Sequence, residues 1–270
     1  MMRGYADHPF LKAPNWHGLV VADILLNNLC TGLFLVAALG ELAAPARFAA
    51  TAHVAYPVVL GLLILDLVCL VLDLGDPLRF HHMLRVFKLR SPMSVGVWSL
   101  VAFSPVGLLG VMTILGLGPA WDDVRRVLAA VGLVPALLAA MYKGVLFSTT
   151  AQPGWRDARW LGGYLATSAV LLGCAELLLL ALFLGQPAAT GALRTATLAL
   201  LMVNGIGLAL VVKDVPRLRS AGAVAGAVGI VAPLALLWLS GPAPFVAATT
   251  LIIAGALVVR RALVHLPHHQ

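Results

Sequence analysis

Eight long runs of apolar residues occupy most of this 270-residue chain. A helix needs about 20 consecutive apolar residues to cross the hydrocarbon core of a bilayer. Only 11% of the residues are charged, whereas an ordinary soluble domain has about 25%. The sequence therefore predicts an all-α integral membrane protein that forms a single membrane domain over 1–270. We place the spans near 19–41, 52–74, 93–117, 127–148, 161–184, 191–212, 221–239 and 242–259.

The connections are short, so consecutive helices are expected to be antiparallel neighbours. Thirteen of the 18 Lys and Arg residues lie on the side of the membrane that would hold both termini. Arg260 and Arg261 are counted among them. Cation-rich loops usually face the cytoplasm. We therefore expect cytoplasmic termini in a bacterial inner membrane, although cations gathered for an acidic partner would produce the same bias.

Several polar residues lie inside the apolar runs. An ionisable side chain within a span costs about 2.5–3.5 kcal/mol on insertion scales, so each needs a partner or a function. Residues four or seven apart on a helix share one face. The candidates are Asp23 and Asn27 in the first span, Asp66 and Asp73 in the second, Tyr142 and Lys143 in the fourth, and Glu176 in the fifth.

Most of these side chains are expected in one leaflet. Asp23 lies about five residues inside its span, which is about 7 Å deep. The second and fourth spans run in the opposite direction, so Tyr142 and Lys143 reach a similar depth. Asp73 lies near the surface and Asp66 about 10 Å deeper. We expect these side chains to form a polar pocket. The connection 73–93, DLGDPLRFHHMLRVFKLRSPM, would cover this pocket, and we call it the lid.

Structural explanations stay open for several of these groups. Acids and lysines near span ends can extend to the headgroups, and Asp73 can pair with Arg79 or Arg90. Glu176 in the fifth span and Asn204 in the sixth can continue a proton path. For Asn204 a plain interhelical hydrogen bond is an alternative. Gly222 and Gly226 suit close helix packing in the seventh span, and Pro105, Pro135 and Pro233 are expected to kink their helices.

The sequence argues against a metal or haem in this chain, and against nucleic-acid binding. The three cysteines have no metal-ligand spacing, so we expect core packing for them. Haem b would need two facing histidines within spans, but His53 stands alone on one side. His17, His81, His82 and His265 lie near the other surface. With no nucleophile motif or phosphate loop, we do not expect catalysis by this chain alone.

Two motifs indicate a known family. DLGDPLRFHHML at 73–84 is followed by RSPMSVGVW at 90–98, and YKGVLFSTTAQPGW covers 142–155. The chain resembles the quinone-interacting membrane subunits of the NrfD/polysulfide-reductase (PsrC-like) family. There the second span ends in Asp-Leu-Gly-x-Pro-x-Arg-Phe, Ser-Pro-Met-Ser opens the third, and Tyr-x-Gly with a downstream Pro-x-Trp marks the fourth. The likeness covers four spans well, and the last four match in number and hydropathy.

The resemblance implies two four-helix bundles that bind a quinone or quinol, menaquinone or ubiquinone, under the lid. It also implies an iron–sulfur subunit on that face, usually accompanied by a molybdopterin catalytic subunit. By position, Tyr142 matches the family's pocket tyrosine, and Asp23 falls where the first helix contacts the quinone.

From these residues we predict specific roles. Tyr142 and Asp23, with Asn27, would hold the headgroup. Lys143 would tune Asp66 or Asp23. Asp66 and Asp73 would pass protons toward the lid, and Glu176 would extend that path. The candidate docking residues for an acidic partner face are Arg79, His81, His82, Arg85, Lys88 and Arg90.

An alternative class is a secondary transporter or ion-coupled permease, because such proteins also carry buried carboxylates and asparagines. It predicts polar sites near the midplane and matched features in both halves of the chain. A purely structural anchor would leave Asp66 and Lys143 unexplained.

Overall fold

The structure, a computed structural model, describes residues 18–266 except 75, 86, 151, 153 and 240. His17 and Pro153 lie outside the described residues. Within the described part every regular element is helical, and eight helices are long and apolar enough to cross a membrane. The predicted fold class and span number are confirmed. The helices are α1 Gly18–Ala43, α2 Pro45–Leu72, α3 Pro92–Ile114, α4 Pro119–Ser148, α5 Leu161–Phe183, α6 Pro187–Asp214, α7 Pro216–Leu236 and α8 Pro242–His265.

Proline marks the beginning of most helices. Six of the eight start at a proline, where the missing N–H has no intrahelical partner in any case and the ring presets the helical φ. Gly116 and Gly241, with φ of 64° and 114°, turn the chain between α3 and α4 and between α7 and α8. Where the predicted helix ends are wrong, the helix extends beyond the apolar run into a more polar segment. α4 begins at Pro119, and α8 continues to His265 rather than 259.

The helices form two four-helix bundles, as the resemblance implies. In the first, α1 packs on α2 and α4, and α3 packs on α2 and α4. In the second, α5 packs on α6 and α8, and α7 packs on α6 and α8. Contacts of α5 with α1 and α4, and of α8 with α1, join the bundles. α1 therefore packs against helices of its own bundle and against α5 and α8 of the other.

Glycine makes the close packing of α1 on α5 possible. A Cβ atom on Gly32 would lie 1.9 Å from the carbonyl oxygen of Ala169, and one on Gly173 would lie 2.1 Å from the Gly32 backbone. No side chain fits there unless the helices separate. Close backbone approach at small residues is the usual way in which membrane helices associate.

The expected small-residue face of α7 is only half right. A Cβ on Gly222 would meet Val212, but one on Gly226 would meet nothing within 4 Å. The close approach is instead between Gly229 and Gly255 of α8, where a Cβ on Gly255 would lie 2.5 Å from the Gly229 Cα. Gly229 belongs to a single π-helical turn, Ala227–Val231, which is the form in which the rare π-helix usually occurs within α-helices.

The prolines inside helices act in different ways. Pro105 lies in a short 3₁₀ interruption of α3, Ser104–Val106, and Pro233 follows the π-helical turn of α7. Pro135 is accommodated within α4, and so is Pro57 within α2. Asn204 donates to the hydroxyl of Thr167 at 3.1 Å, so the expected interhelical hydrogen bond is confirmed.

The lid is a 3₁₀ helix, Pro77–Leu84, followed by a loop that leads into α3. Ser91 caps α3 by accepting from the backbone N–H of Ser94 at 3.4 Å. The hydroxyl of Ser94 accepts from the backbone N–H of Lys88 at 2.9 Å. The Ser-Pro-Met-Ser segment therefore starts a helix and also fixes the end of the lid to it.

Candidate functional site: a buried charged cluster beside a tyrosine-lined groove

Three charged side chains from three helices meet inside the first bundle. The Nζ atom of Lys143 on α4 lies 2.8 Å from Oδ2 of Asp23 on α1 and 3.7 Å from Oδ1 of Asp66 on α2. Asp23, Asp66 and Lys143 are 6%, 1% and 5% exposed. Asp23, Asp66 and Lys143 therefore meet, as their depth in the spans predicts. If both acids are ionised, this trio carries one net negative charge.

Asn27 connects α1 to the same cluster. Its Nδ2 atom donates to Oδ2 of Asp66 at 3.0 Å. Three buried oxygens have no hydrogen-bond donor in the described structure: Oδ1 of Asp23, Oδ1 of Asn27 and Oδ1 of Asp66. Buried polar atoms are normally paired. The cluster therefore has spare capacity to accept hydrogen bonds or protons.

Arg260 is a buried charge that the sequence analysis assigned wrongly. It was counted among the cations flanking the last span, but it is 0% exposed within α8. Its guanidinium donates to Oδ1 of Asn28 and to Oγ of Ser168, the latter at 3.2 Å. Asn28 in turn donates to the backbone carbonyl of Ala140 at 3.0 Å. A longer prediction for α8 would have revealed the error, because Arg260 would then fall inside the helix.

Tyr142 stands between the charged cluster and a groove on the surface of the bundle. Its ring packs on Gly96 of α3, where an added Cβ would lie 2.0 Å from the ring. The Nζ atom of Lys143 lies 5.5 Å from the centroid of this ring. On the other side a groove of about 240 Å³ runs between α3 and α4. Its walls are Leu89, Arg90, Pro92, Val95, Leu138, Met141, Tyr142 and Val145.

The lid borders this groove and also covers a second cavity. Leu89 and Arg90, at the end of the lid, line the groove beside Tyr142. Phe80, Met83 and Leu84 cover an apolar cavity of about 220 Å³ between α2 and α3. The lid is thus attached through its apolar side chains to the helices.

The charged side chains of the lid face outward. Arg79 pairs with Asp76 at 2.9 Å, rather than with Asp73. All six candidate docking residues are exposed, namely Arg79, His81, His82, Arg85, Lys88 and Arg90.

Two predicted relay residues lie apart from the cluster. Asp73 is exposed at the end of α2, seven residues and about 10 Å of helix away from Asp66. Glu176 lies in α5, and its Oε2 atom is buried without a hydrogen-bond partner among the described residues. The structure therefore joins Asp23, Asn27 and Asp66 to Lys143, but it adds neither Asp73 nor Glu176.

A second polar cluster lies at the opposite ends of the same helices. Glu41, at the end of α1, accepts a hydrogen bond from the hydroxyl of Tyr56 and one from Arg125 at 3.2 Å. The Nε2 atom of His53 lies 3.6 Å from the Glu41 carboxylate. His53 therefore has an acidic neighbour at this end of the bundle. The sequence did not indicate this cluster, because its members come from three different helices.

The remaining motif residues pack the two bundles together. A Cβ on Gly144 would lie 2.6 Å from the backbone of Gly162 on α5. Trp155 is 1% exposed, and its Nε1 donates to the carbonyl of Leu263 on α8 at 2.7 Å. The Tyr-x-Gly stretch and its downstream tryptophan therefore position α4 against α5 and α8.

The fold and the site define an eight-helix membrane protein with a shallow buried charged cluster beside a groove. The family model described as polysulfide reductase, of the NrfD type, matches residues 9–269. The chain belongs to this family. No curated protein matches it in sequence.

Members of the NrfD family are multi-pass membrane subunits of oxidoreductase complexes and interact with quinones. In general they associate with iron–sulfur and molybdopterin-type subunits. Among the described residues, no three His, Cys, Asp or Glu side chains are grouped so as to hold a metal ion.

Proposed function

We propose that this chain exchanges electrons between the quinone pool, menaquinone or ubiquinone, and a docked iron–sulfur subunit. The complex would include a molybdopterin-type catalytic subunit and would lie in a bacterial cytoplasmic membrane. The observation that carries the proposal is the position of the Tyr142 ring, which lines the groove and has its centroid 5.5 Å from the Nζ atom of Lys143. One side chain therefore separates an apolar groove from a buried charged cluster.

The groove suits a quinone. Pro92, Val95 and Leu138 give it apolar walls that fit an aromatic headgroup and the first part of an isoprenoid tail. The Tyr142 hydroxyl can donate to a quinone carbonyl or accept from a quinol hydroxyl. Asp23 and Asn27 lie behind Tyr142 on the Lys143 side, so they would reach the headgroup through a rearrangement of the Tyr142 ring.

Quinol oxidation releases two electrons and two protons. In this proposal the electrons pass to the iron–sulfur subunit, and the protons pass to Asp23 and Asp66. Each of these acids has a buried carboxylate oxygen that accepts no hydrogen bond from the described residues. Carboxylates in such surroundings are suitable general bases. Asp73, at the exposed end of α2, would release protons to the surface under the lid. Glu176 would extend the proton path deeper into the membrane.

Lys143 controls this exchange. Its ammonium is shared between Asp23 at 2.8 Å and Asp66 at 3.7 Å. A proton that arrives on one acid releases Lys143 toward the other acid. The pair can therefore accept protons without leaving the ammonium unpaired, which would be unfavourable in a buried site.

The lid would dock the iron–sulfur subunit. Arg85, Lys88 and Arg90 are exposed on the lid, and none makes an ion pair within the described structure. Arg90 also lines the groove. An acidic face on the partner would complement them and steer the encounter. We place the lid and both termini on the same side of the membrane, with the cytoplasmic side favoured by the loop cations.

The transporter alternative has less support. It requires a site near the midplane, but Asp23 lies five residues from the first residue of α1, about 8 Å along the axis. The cluster also lies on helices of the first bundle, and the part of the second bundle that the structure describes has no matching Lys–Asp pair.

Copurification with quinone analysis tests the proposal. An iron–sulfur subunit and a quinone should purify with the chain, and the complex should reduce or oxidise quinone analogues. Tyr142→Phe and Asp23→Asn should lower quinol-linked turnover by about 100-fold or more without loss of assembly. Tyr56→Phe is the matched control, because its hydroxyl bonds Glu41 at the other membrane surface. Unchanged turnover in both test variants would refute the site.

A further inference from the structure

Arg194 lines a second groove, which lies in the second bundle. This groove has a volume of about 460 Å³ and is formed where α5 ends and where α6 and α8 begin. Consecutive spans alternate in direction, so this is the membrane face opposite the lid. The Arg194 groove is therefore separate from the proposed quinone site.

One face of the first two turns of α6 forms the floor of the Arg194 groove. Pro187, Gly191 and Arg194 all line it, and residues four and seven apart on a helix share a face. Gly191 is exposed, and a Cβ added to it would meet nothing within 4 Å. Because Gly191 has no side chain, the floor stays open between Pro187 and Arg194.

Two contacts hold the guanidinium of Arg194 in place. Its Nε atom donates to the backbone carbonyl of Leu237 at 2.6 Å, and its Cζ atom lies 5.9 Å from the centroid of the Phe245 ring. Leu237 caps the end of α7, where a cation is favourable. The bond to Leu237 uses one of the five N–H groups that an arginine carries. The Nη atoms donate to no atom of the described residues.

No acid pairs with Arg194 in the part of the chain that the structure describes. Glu176 lies at a similar level, because it is seven residues before the end of α5 and Arg194 is seven residues after the start of α6. The buried Oε2 atom of Glu176 nevertheless has no hydrogen-bond partner, so the two side chains do not meet. The free N–H groups of Arg194 are therefore available to an anion from outside the chain.

The position of the Arg194 groove matches the headgroup layer of a bilayer. The guanidinium contacts the carbonyl that ends α7, and Gly185 of the turn between α5 and α6 also lines the groove. The ends of spans lie near the headgroups, because the hydrocarbon core is about 30 Å thick. Leu182 and Phe245 add apolar walls along which an acyl chain can lie.

We propose that Arg194 binds the phosphate of an anionic phospholipid, such as phosphatidylglycerol, and that an acyl chain of this lipid occupies the groove. Guanidinium groups match phosphate oxygens with two parallel hydrogen bonds. Basic pockets between membrane helices commonly bind anionic lipid headgroups. The Nη atoms donate to the phosphate, while Nε keeps its bond to Leu237. The bound lipid thus links the turn between α5 and α6 to the ends of α7 and α8.

Thermal unfolding of the delipidated chain in neutral detergent tests the proposal. Saturating phosphatidylglycerol should raise Tm by at least about 3 °C, and native mass spectrometry should detect one retained lipid per chain. Phosphatidylcholine, which has no net charge, should raise Tm less. An equal shift with inorganic phosphate at the same concentration would show an ion site and overturn the lipid assignment. An equal shift with phosphatidylcholine would show that the lipid charge is not recognised and would also overturn it.

Two variants address the two parts of the site. Arg194→Gln removes the cation, and Gly191→Leu fills the floor of the groove at a position where an added Cβ meets no other residue. Each should abolish both the Tm shift with phosphatidylglycerol and the retained lipid. Arg194→Gln also loses the bond to Leu237, so the measured quantity is the difference in Tm with and without lipid. A full shift in either variant would overturn the proposal.

Gly61→Leu and Arg126→Gln are the matched controls. A Cβ on Gly61 also meets nothing within 4 Å, and Arg126 is an exposed cation on the same membrane face as Arg194. Both should keep the full shift, and its loss in either control would show that the effect is not specific to the groove. The proposal is independent of quinone exchange, because Gly191→Leu should leave quinol turnover of the complex unchanged. A chain that binds the lipid but lacks quinol turnover would refute only the proposed function.

Discussion

Lys143 binds Asp23 twice, with its Nζ atom 2.8 Å from the carboxylate and 3.2 Å from the backbone carbonyl of the same residue. The side chain of Lys143 thus fixes α4 to one turn of α1. The ammonium cannot leave Asp23 without breaking both interactions. Asp66, at 3.7 Å, is held less closely by Lys143 and accepts instead from Asn27 at 3.0 Å.

Lys143→Met should destabilise the protein strongly. The variant leaves two buried carboxylates without their nearest cation, and breaking a buried ion pair in this way costs about 3–5 kcal/mol. Thermal unfolding in detergent measures the loss. Lys88→Met, at an exposed position of the lid, should change stability by no more than about 0.5 kcal/mol. Equal effects of the two substitutions would show that Lys143 is not part of a buried ion pair.

Gly96→Ala should displace the ring of Tyr142 and reduce quinol turnover. The added methyl group would lie 2.0 Å from the ring, which is closer than atoms can approach. Gly61→Ala is the matched control, because a Cβ there meets nothing within 4 Å and alanine favours a helix by about 1 kcal/mol. We expect turnover to fall at least about tenfold in the first variant only. Full turnover in Gly96→Ala would show that the position of the Tyr142 ring does not affect the reaction.

Trp155→Phe should loosen the contact between the two bundles. The indole N–H donates to the Leu263 carbonyl at 2.7 Å, and a phenyl ring leaves that buried carbonyl without this donor. The Leu263 carbonyl still accepts from the backbone N–H of Leu266, so the expected loss is that of one hydrogen bond, about 0.5–1.5 kcal/mol. Trp160→Phe, at a residue that is 53% exposed, is the control and should be nearly neutral. Guanidinium or thermal unfolding of the two variants side by side makes the comparison.

Apolar run length predicted the eight helices, and helix direction predicted that Asp23, Asp66 and Lys143 would meet. Both arguments need only the helix rise and the alternation of neighbouring helices. The contacts of Tyr142 with Gly96 and with the groove required the side-chain packing of α3 on α4. That packing depends on rotations about the helix axes, which hydropathy does not determine.

The errors have a common physical origin at the helix ends. Arg260 and Glu41 lie near the ends of α8 and α1, where a cation or an acid is normally solvated. The structure buries Arg260 because α8 extends to His265 and packs against α1 and α5. It pairs Glu41 because α2 and α4 begin beside the end of α1. Neither packing relationship can be derived from the local sequence.

Arg125→Gln should destabilise the protein, whereas the same substitution at the next residue should not. The Arg125 side chain is 7% exposed and pairs with Glu41 at 3.2 Å, while that of Arg126 is 64% exposed and pairs with Asp123 at 3.6 Å. The buried pair should be worth about 3 kcal/mol when one partner is removed, and the exposed pair less than about 1 kcal/mol. Thermal unfolding of both variants tests the difference. Equal losses would mean that Glu41 is solvated.

Charge reversal on the lid should weaken docking of the iron–sulfur subunit. Arg85→Glu with Lys88→Glu replaces two exposed cations of the lid by two acids. If the partner presents an acidic face, the association rate should fall by about tenfold or more. The defect should depend on salt, because the Debye length shortens from about 30 Å at 0.01 M to about 8 Å at 0.15 M. Binding of the purified partner at both ionic strengths measures it.

The control for the lid carries the same change of charge on the other membrane face. Arg47→Glu with Arg126→Glu alters two exposed cations near the beginnings of α2 and α4, so the net charge of the chain changes equally. If docking depends on the lid, this variant should bind the partner as the unchanged chain does at both salt concentrations. Equal weakening by the two double variants would show that only net charge matters, and the lid would then lose its docking role. The lid residues Leu89 and Arg90 also line the groove beside Tyr142, so a change in the lid could disturb the quinone site as well. Quinone binding to the isolated chain separates the two effects, because a defect in docking alone should leave it unchanged.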